Sequence, residues 1–200
     1  MDAAYNLEHE RLLSDLRQTG FALQDIWDWV NGPAPVGSES ILLSHLEYAT
    51  SEKLVEGIAR ALTQKNFRNA VPALLQRFVR TSCDSARWAI ANAIAYQPFP
   101  KHLWEDILAV AVDPKFGSGR QNLVWRLHRV KLPGVETTLL ELVDDPDVDA
   151  FALMALKYCG SFETYETLRR IDPAGKSLLF KRELTKTVKR LEKRLQPPQR

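Results

Sequence analysis

The chain has 200 residues, 45% of them hydrophobic and 26% charged, and a formal net charge of +2, which is ordinary for a globular protein of one domain. No stretch approaches the roughly 18 consecutive apolar residues of a membrane-spanning helix, and the N-terminus lacks the basic and apolar regions of a signal peptide. Two cysteines alone, Cys83 and Cys159, indicate a reducing compartment, so the predicted location is the cytoplasm.

The first 38 residues are predicted to form N-terminal capping helices followed by a loop. Leu7, Leu12 and Leu16 indicate a helical stripe, and Gly20 suits a helix end because glycine accepts a positive φ. A second short helix is predicted over residues 23–30. The segment 32–38 is rich in Pro and Gly, so it is predicted to be a loop.

Residues 39–172 contain an apolar pattern that recurs. Its four copies begin at Leu54, Ala86, Gly119 and Val148, at spacings of 32, 33 and 29 residues. Each copy follows another apolar helix. A helix pair of this size cannot bury its apolar face alone, so neighbouring pairs are expected to stack and share a core.

The motif residues of the fourth copy resemble a known repeat. Asp145-Pro146-Asp147-Val148, followed by Ala152, Ala155 and Leu156, resembles the HEAT or PBS-lyase-type repeat, whose second helix opens D-P-x-V-R and continues A-x-x-A-L. Asp113-Pro114 stands at the equivalent place one copy earlier, and Arg87 and Arg120 hold the arginine position. Asp149 and Arg126 depart from the pattern. The spacing from Asp113-Pro114 to the next helix is longer than in the fourth copy, so residues 115–119 are predicted to form an enlarged turn.

This resemblance implies an all-α fold, a right-handed α-solenoid of about four to five HEAT-like helix pairs with capping helices. Residues 1–200 would form a single repeat domain. Its parts would be the N-terminal cap (1–38), the repeats (39–172) and a basic C-terminal capping helix with a tail (173–200).

The C-terminal segment is strongly basic. From Lys176 onward it holds nine Lys and Arg against two Glu. Apolar residues recur within it at helical spacing, at Phe180, Leu184, Val188, Leu191 and Leu195. Two interpretations stay open: the helix attracts nucleic acid or an acidic protein, or its charges are simply the solvated face of a cap.

No arrangement for catalysis, metal binding or a cofactor is found, so the chain is predicted not to be an enzyme. The four histidines are scattered, without His-x-x-x-His or Cys-x-x-Cys spacing. The acidic run Asp145–Asp149 lacks the Gly and Glu of a calcium loop. Gly175-Lys176-Ser177 lacks the first glycine of a phosphate-binding loop, because that position is Arg170.

A partner-binding surface can be predicted from the helical period. Turning about 100° per residue from Ala152 places Val148, Ala155 and Leu156 on the packed face. It places Ala150, Met154 and Lys157 on the outer face. The same outward columns in all four copies give the predicted site, which the resemblance places on a concave face: Glu56, Arg60, Trp88, Asn92, Gln121, Trp125, His128, Met154 and Lys157.

Large outward aromatic side chains are typical of protein interfaces. The alternative left open is a shifted register in which Trp88 and Trp125 pack between repeats.

The segment Trp27–Asn31 ahead of the repeats resembles small stand-alone bacterial HEAT-repeat proteins, many of which resemble immunity proteins of toxin systems. This implies a scaffold that binds and neutralises a toxin domain. Two alternatives stay open: a nucleic-acid-binding, DNA-repair-like HEAT protein, which the mixed charges of the predicted site disfavour, and an assembly adaptor or lyase-like chaperone. No membrane partner is expected.

Overall fold

The structure is a computed structural model that describes residues 3–30, 32, 34–64 and 67–195, with the side chain of Arg68 left out. Over these residues the chain is all-helical and has no β-strand, so the all-α prediction is confirmed. None of the described helices combines the length and the apolarity needed to cross a bilayer. The predicted C-terminal tail, 197–200, lies outside the described residues.

The chain divides into two compact units, residues 1–103 and 104–200. The helices described in the first unit are α1 (Ala3–Gln18), α2 (Glu39–Tyr48), α3 (Glu52–Ala61), α4 (Val71–Arg80) and α5 (Asp84–Tyr96). The helices described in the second unit are α6 (Trp104–Val112), α7 (Gln121–Arg126), α8 (Val135–Glu141), α9 (Asp149–Cys159), α10 (Phe162–Leu168) and α11 (Leu178–Leu195). Short 3₁₀ segments flank several of them.

The apolar stripe of α1 differs from the predicted one. Leu12 and Leu16 are buried, but Leu7 is 56% exposed. Tyr5 and His9 complete the buried stripe instead, because the series 5, 9, 12, 16 follows the 3.6-residue period. Leu7 lies about 200° from Tyr5 around the helix, and therefore faces solvent.

The predicted second helix is only a 3₁₀ turn, Ile26–Trp29. Asp25 caps it: its Oδ1 accepts from the Trp27 amide at 3.1 Å, and Asp28 Oδ2 accepts from the Asp25 amide at 3.1 Å. This reciprocal capping box fixes the start of the turn at residue 26. Few residues then remain before the Pro- and Gly-rich segment.

In the first unit α3 packs against α5 and against the 3₁₀ turn at 26–29. Gly57 permits the close approach of that turn, since a Cβ there would lie 2.9 Å from Ile26 Cγ2. In the second unit α9 packs against α7, α8 and α11. Leu153 and Leu156 on α9 and Phe180 and Leu191 on α11 are fully buried.

The motif residues of the second unit meet in its interior. Arg120, fully buried, donates from Nη1 to the Ala111 carbonyl at 3.0 Å and from Nη2 to the Asp145 carboxylate. Asp145 also accepts from the Asp147 amide at 3.0 Å. The enlarged turn predicted between Asp113 and α7 is present, and Gly117 adopts φ 48° within it.

Glutamates from distant helices hold the turns that precede other helices. Glu8 on α1 accepts from the Thr50 and Ser51 amides at 2.9 and 3.0 Å, before α3. Glu136 on α8 accepts from the Ser161 amide at 2.5 Å and from Thr164, at the start of α10. Burial alone would raise the pKa of Glu136, but these hydrogen bonds outweigh it and lower the pKa.

Candidate functional site

The nine residues of the predicted site are all half-buried in the structure: Glu56, Arg60, Trp88, Asn92, Gln121, Trp125, His128, Met154 and Lys157. Each therefore keeps part of its side chain accessible. Four of them belong to the first unit and five to the second.

In the first unit the structure brings Glu56, Arg60 and Trp88 into contact. Arg60 donates from Nε and Nη2 to Glu56 Oε1 at 2.9 and 2.7 Å. Its guanidinium carbon lies 5.8 Å from the centroid of the Trp88 ring. The other oxygen of Glu56 accepts from Ser85 Oγ at 2.8 Å. Asn92 follows Trp88 by one turn on α5.

This first-unit cluster places a cation beside an aromatic ring. Glu56 and Arg60 are four residues apart on α3, the spacing at which helical side chains meet. Trp88 lies on α5, which packs along α3. A cation over an exposed aromatic ring contributes about 0.5–1 kcal/mol. That is enough to reduce the rotamer freedom of Trp88 and hence the entropy lost on binding.

In the second unit Trp125 and His128 lie at the end of α7 and in the 3₁₀ segment after it. The Arg126 guanidinium carbon lies 4.2 Å from the Trp125 ring centroid. His128 Nδ1 is 2.8 Å from the Trp125 carbonyl oxygen; since a carbonyl only accepts, this nitrogen carries the proton. Gln121 donates to the Asp147 carbonyl at 2.9 Å and so supports the turn before α9.

Tyr158 belongs to the same surface and was not in the predicted site. It is 49% exposed. The His128 ring stacks on it with centroids 4.8 Å apart. Lys157 Nζ and the Arg190 guanidinium lie 5.8 and 5.6 Å from the Tyr158 centroid. Tyr158 could have been predicted from the sequence, because it follows Met154 of the predicted site by four residues and so lies on the same face of the helix.

Positive charge dominates this surface of the second unit. Burial lowers the pKa of His128, and the neighbouring cations Arg126, Arg129 and Lys131 lower it further against the opposing effect of the Trp125 carbonyl. His128 is therefore neutral at pH 7, while the lysines and arginines around it are charged.

Glu183 on α11 supplies a negative charge that neutralises part of the positive charge of this surface. It is 3% exposed and accepts from Lys186 Nζ and Arg182 Nε, each at 3.1 Å, with Lys157 Nζ at 3.6 Å. Burial would raise the pKa of Glu183, but these partners lower it overall. The basic helix thus contributes both structural ion pairs and, through Arg190, a cation on the candidate surface.

The stripe predicted for this helix is partly confirmed. Phe180, Leu184 and Leu191 are buried, whereas Val188 and Leu195 are half-exposed. Thr187 is buried as well and donates to the Leu153 carbonyl of α9 at 2.9 Å.

The histidines and carboxylates are dispersed. Within the described ranges no three His, Cys, Asp or Glu side chains converge as a metal site. His9 accepts from the Ile26 amide at 3.2 Å, a structural contact. His45 Nε2 lies 2.8 Å from Asp15 Oδ2 between α1 and α2.

Comparison of the chain with models of protein families, with curated proteins and with solved structures finds no significant match.

Proposed function

We propose that this protein is a non-catalytic scaffold of HEAT-type helix pairs, arranged as a solenoid, that binds a protein partner through the outer faces of its second helices. Three contacts support the repeat assignment. The second helices α3 and α5 pack on each other in the first unit, the second helices α7 and α9 pack on each other in the second, and Arg120 pairs with Asp145 of the Asp-Pro motif. The single repeat domain stays a prediction.

The observation that supports the binding function is the partial exposure of two tryptophans, each beside an arginine. Trp88 and Trp125 are half-buried, and each has a guanidinium within 6 Å of its ring, from Arg60 and Arg126. Partly exposed tryptophans beside arginines are the residue types that carry most binding energy in protein interfaces. Their ordering in the unbound chain lowers the entropy lost on association.

The favoured biological role is that of an immunity-type protein that holds a toxin domain. Such a protein needs surface complementarity and no chemistry of its own. A positive surface around Tyr158 suits a partner with exposed carboxylates, and charge complementarity speeds association.

Nucleic-acid binding is the second candidate, favoured by the cations Arg126, Arg129, Lys157 and Arg190. The stack of His128 on one face of Tyr158 counts against it, because a base would compete with His128 for that face. In the first unit, Glu56 places a carboxylate in the predicted site, where phosphate would be repelled.

A capture experiment from the native host tests the protein-binding function. The wild-type chain is expected to retain a specific partner, and a Trp88→Ala/Trp125→Ala variant to lose it. Tyr48→Ala, which removes an aromatic ring 74% exposed on α2, is the matched control and should keep the partner. Retention by the double Trp variant would contradict the proposal.

The toxin role has its own readout. The captured protein, expressed alone, should arrest growth, and co-expression of this chain should restore it. A captured partner that is harmless alone would exclude the immunity role while leaving protein binding intact.

A further inference from the structure

A cavity of about 320 Å³ lies in the second unit beside the stacked His128–Tyr158 pair. Val130, Pro133 and Val135 form its apolar walls, and His128, Lys131 and Cys159 also line it. Ligand pockets start at about 300 Å³, so this volume suits an inserted side chain better than a whole cofactor.

The one carboxylate among the lining residues is already engaged. Glu136 accepts from the Ser161 amide and from Thr164. Its pKa is lowered by these bonds against the effect of burial, so it stays ionised and committed to the turn before α10. It therefore adds little to the recognition of an incoming group.

The surroundings of the cavity are basic. Lys131 lines it and donates one hydrogen bond from Nζ to the His128 carbonyl, at 3.1 Å; an ammonium has three donors, so two remain for a ligand. Arg190 and Lys157 approach the adjoining Tyr158 ring. An apolar recess next to several cations and an exposed phenol matches a ligand that is apolar at one point and anionic around it.

We infer that this cavity is the docking site for an acidic protein segment, which inserts one apolar side chain between Val130, Pro133 and Val135. Carboxylates of the segment pair with Lys131, which lies beside His128, and with Arg190, which lies beside Tyr158. This inference rests on the proposed protein-binding function and names the chemistry of its partner.

A protein segment fits these observations better than a nucleic acid does. Single-stranded nucleic acid binds by stacking bases on open aromatic faces. Here His128 covers one face of Tyr158, and cations lie over the ring as well. The apolar recess has no counterpart in a sugar-phosphate backbone.

The test uses a synthetic twelve-residue peptide with a central Leu-Phe pair flanked by Glu and Asp, and reads the protection of Cys159 from N-ethylmaleimide by mass spectrometry. At a peptide concentration of five times Kd, modification of Cys159 should slow about sixfold. Cys83, which lies in the other unit, is the internal control and should react at an unchanged rate.

Three further probes separate the contributions. The same peptide with Ser in place of Leu-Phe, the same peptide with Lys in place of its acids, and a 15-nucleotide oligothymidine should each leave Cys159 unprotected. Equal protection by the Ser peptide would overturn insertion into the cavity. Protection by the oligothymidine without protection by the acidic peptide would overturn the choice of a protein ligand.

Charge variants locate the binding. Lys131→Gln and Arg190→Gln should each weaken the peptide about threefold. Lys181→Gln, an exposed position on the opposite side of α11 from Arg190, should not change the affinity. If all three variants weakened the peptide equally, its binding would reflect general charge attraction, and the proposed docking site would be contradicted.

Failure here is distinguishable from failure of the proposed function. If about millimolar peptide does not protect Cys159 while the Trp variants still lose the host partner, only this inference is contradicted. If the peptide protects Cys159 but the Trp variants still capture the partner, the role of the tryptophans is contradicted and the cavity remains supported as a binding site.

Discussion

The guanidinium of Arg120 is fully buried and donates to the carboxylate of Asp145, 25 residues further along the chain. This ion pair joins the residue before α7 to the turn before α9. Removing one partner of a buried pair leaves an uncompensated charge in the interior, which is far more costly than replacing both.

Asp145→Ala should therefore lower the free energy of unfolding by about 3 kcal/mol, measured by urea denaturation. Adding Arg120→Met to that variant should recover part of the loss, since the buried charge then disappears. Asp144→Ala, at an exposed neighbouring carboxylate, is the control. A loss below about 0.5 kcal/mol for Asp145→Ala would show that the pair is not needed for stability.

Gly57→Ala tests the close approach of α3 to the turn at 26–29. Alanine gains about 1 kcal/mol in helix propensity, but its Cβ would lie 2.9 Å from Ile26 Cγ2, and overpacking of that kind costs about 1–3 kcal/mol. The net effect should be destabilising by about 1 kcal/mol in a thermal melt. A stabilised variant would mean that the turn moves aside without strain.

The pH dependence of stability should carry a contribution from His128. Its pKa in the folded chain lies below the ordinary 6.5, because of burial and nearby cations. The unfolded state therefore binds more protons as the pH falls through 6.5, and stability declines until His128 is protonated in the folded state as well.

Melting temperatures of the wild type and His128→Gln should thus converge as the pH is lowered from 7.5 to 5.5. The exposed His102→Gln should follow the wild type in parallel. If the melting temperature of the wild type instead rose relative to that of His128→Gln as the pH was lowered, the pKa of His128 would be raised in the folded chain, which would contradict its burial beside cations.

The two cysteines should differ in reactivity. A hydrogen bond with Ser85 and backbone amides lower the pKa of the Cys83 thiol, while burial raises the pKa of Cys159. Because the thiolate is the nucleophile, Cys83 should react faster with iodoacetamide at pH 7. Faster alkylation of Cys159 would contradict these environments.

The parts of the fold that local periodicity determines could be predicted from the sequence. Val148, Ala155 and Leu156 are buried as the helical pattern indicated, and the Gly117 turn was expected from its residue types. The prediction of an outer position for Ala150 was wrong: it is buried, because three helices, α7, α8 and α11, pack around α9. Leu7 was assigned to the wrong face, because leucine alone was counted and the buried Tyr5 and His9 were not.

The contacts that join distant segments could not be predicted in this way. Glu8 holds the turn at Thr50, 42 residues away, and a surface glutamate carries no sign of such a partner. Tyr158 joined the candidate site through its stack with His128. Stacking depends on how α9 packs on α7, which helical period alone does not specify.

The affinity of Trp125→Ala for the purified host partner, measured by calorimetry beside its melting temperature, tests the central claim most directly. The account predicts a loss of about 2 kcal/mol or more in binding with the melting temperature lowered by only a few degrees, because part of the Trp125 surface is accessible to solvent in the unbound chain. A variant that melts many degrees early, or binds the partner as tightly as the wild type, would contradict it.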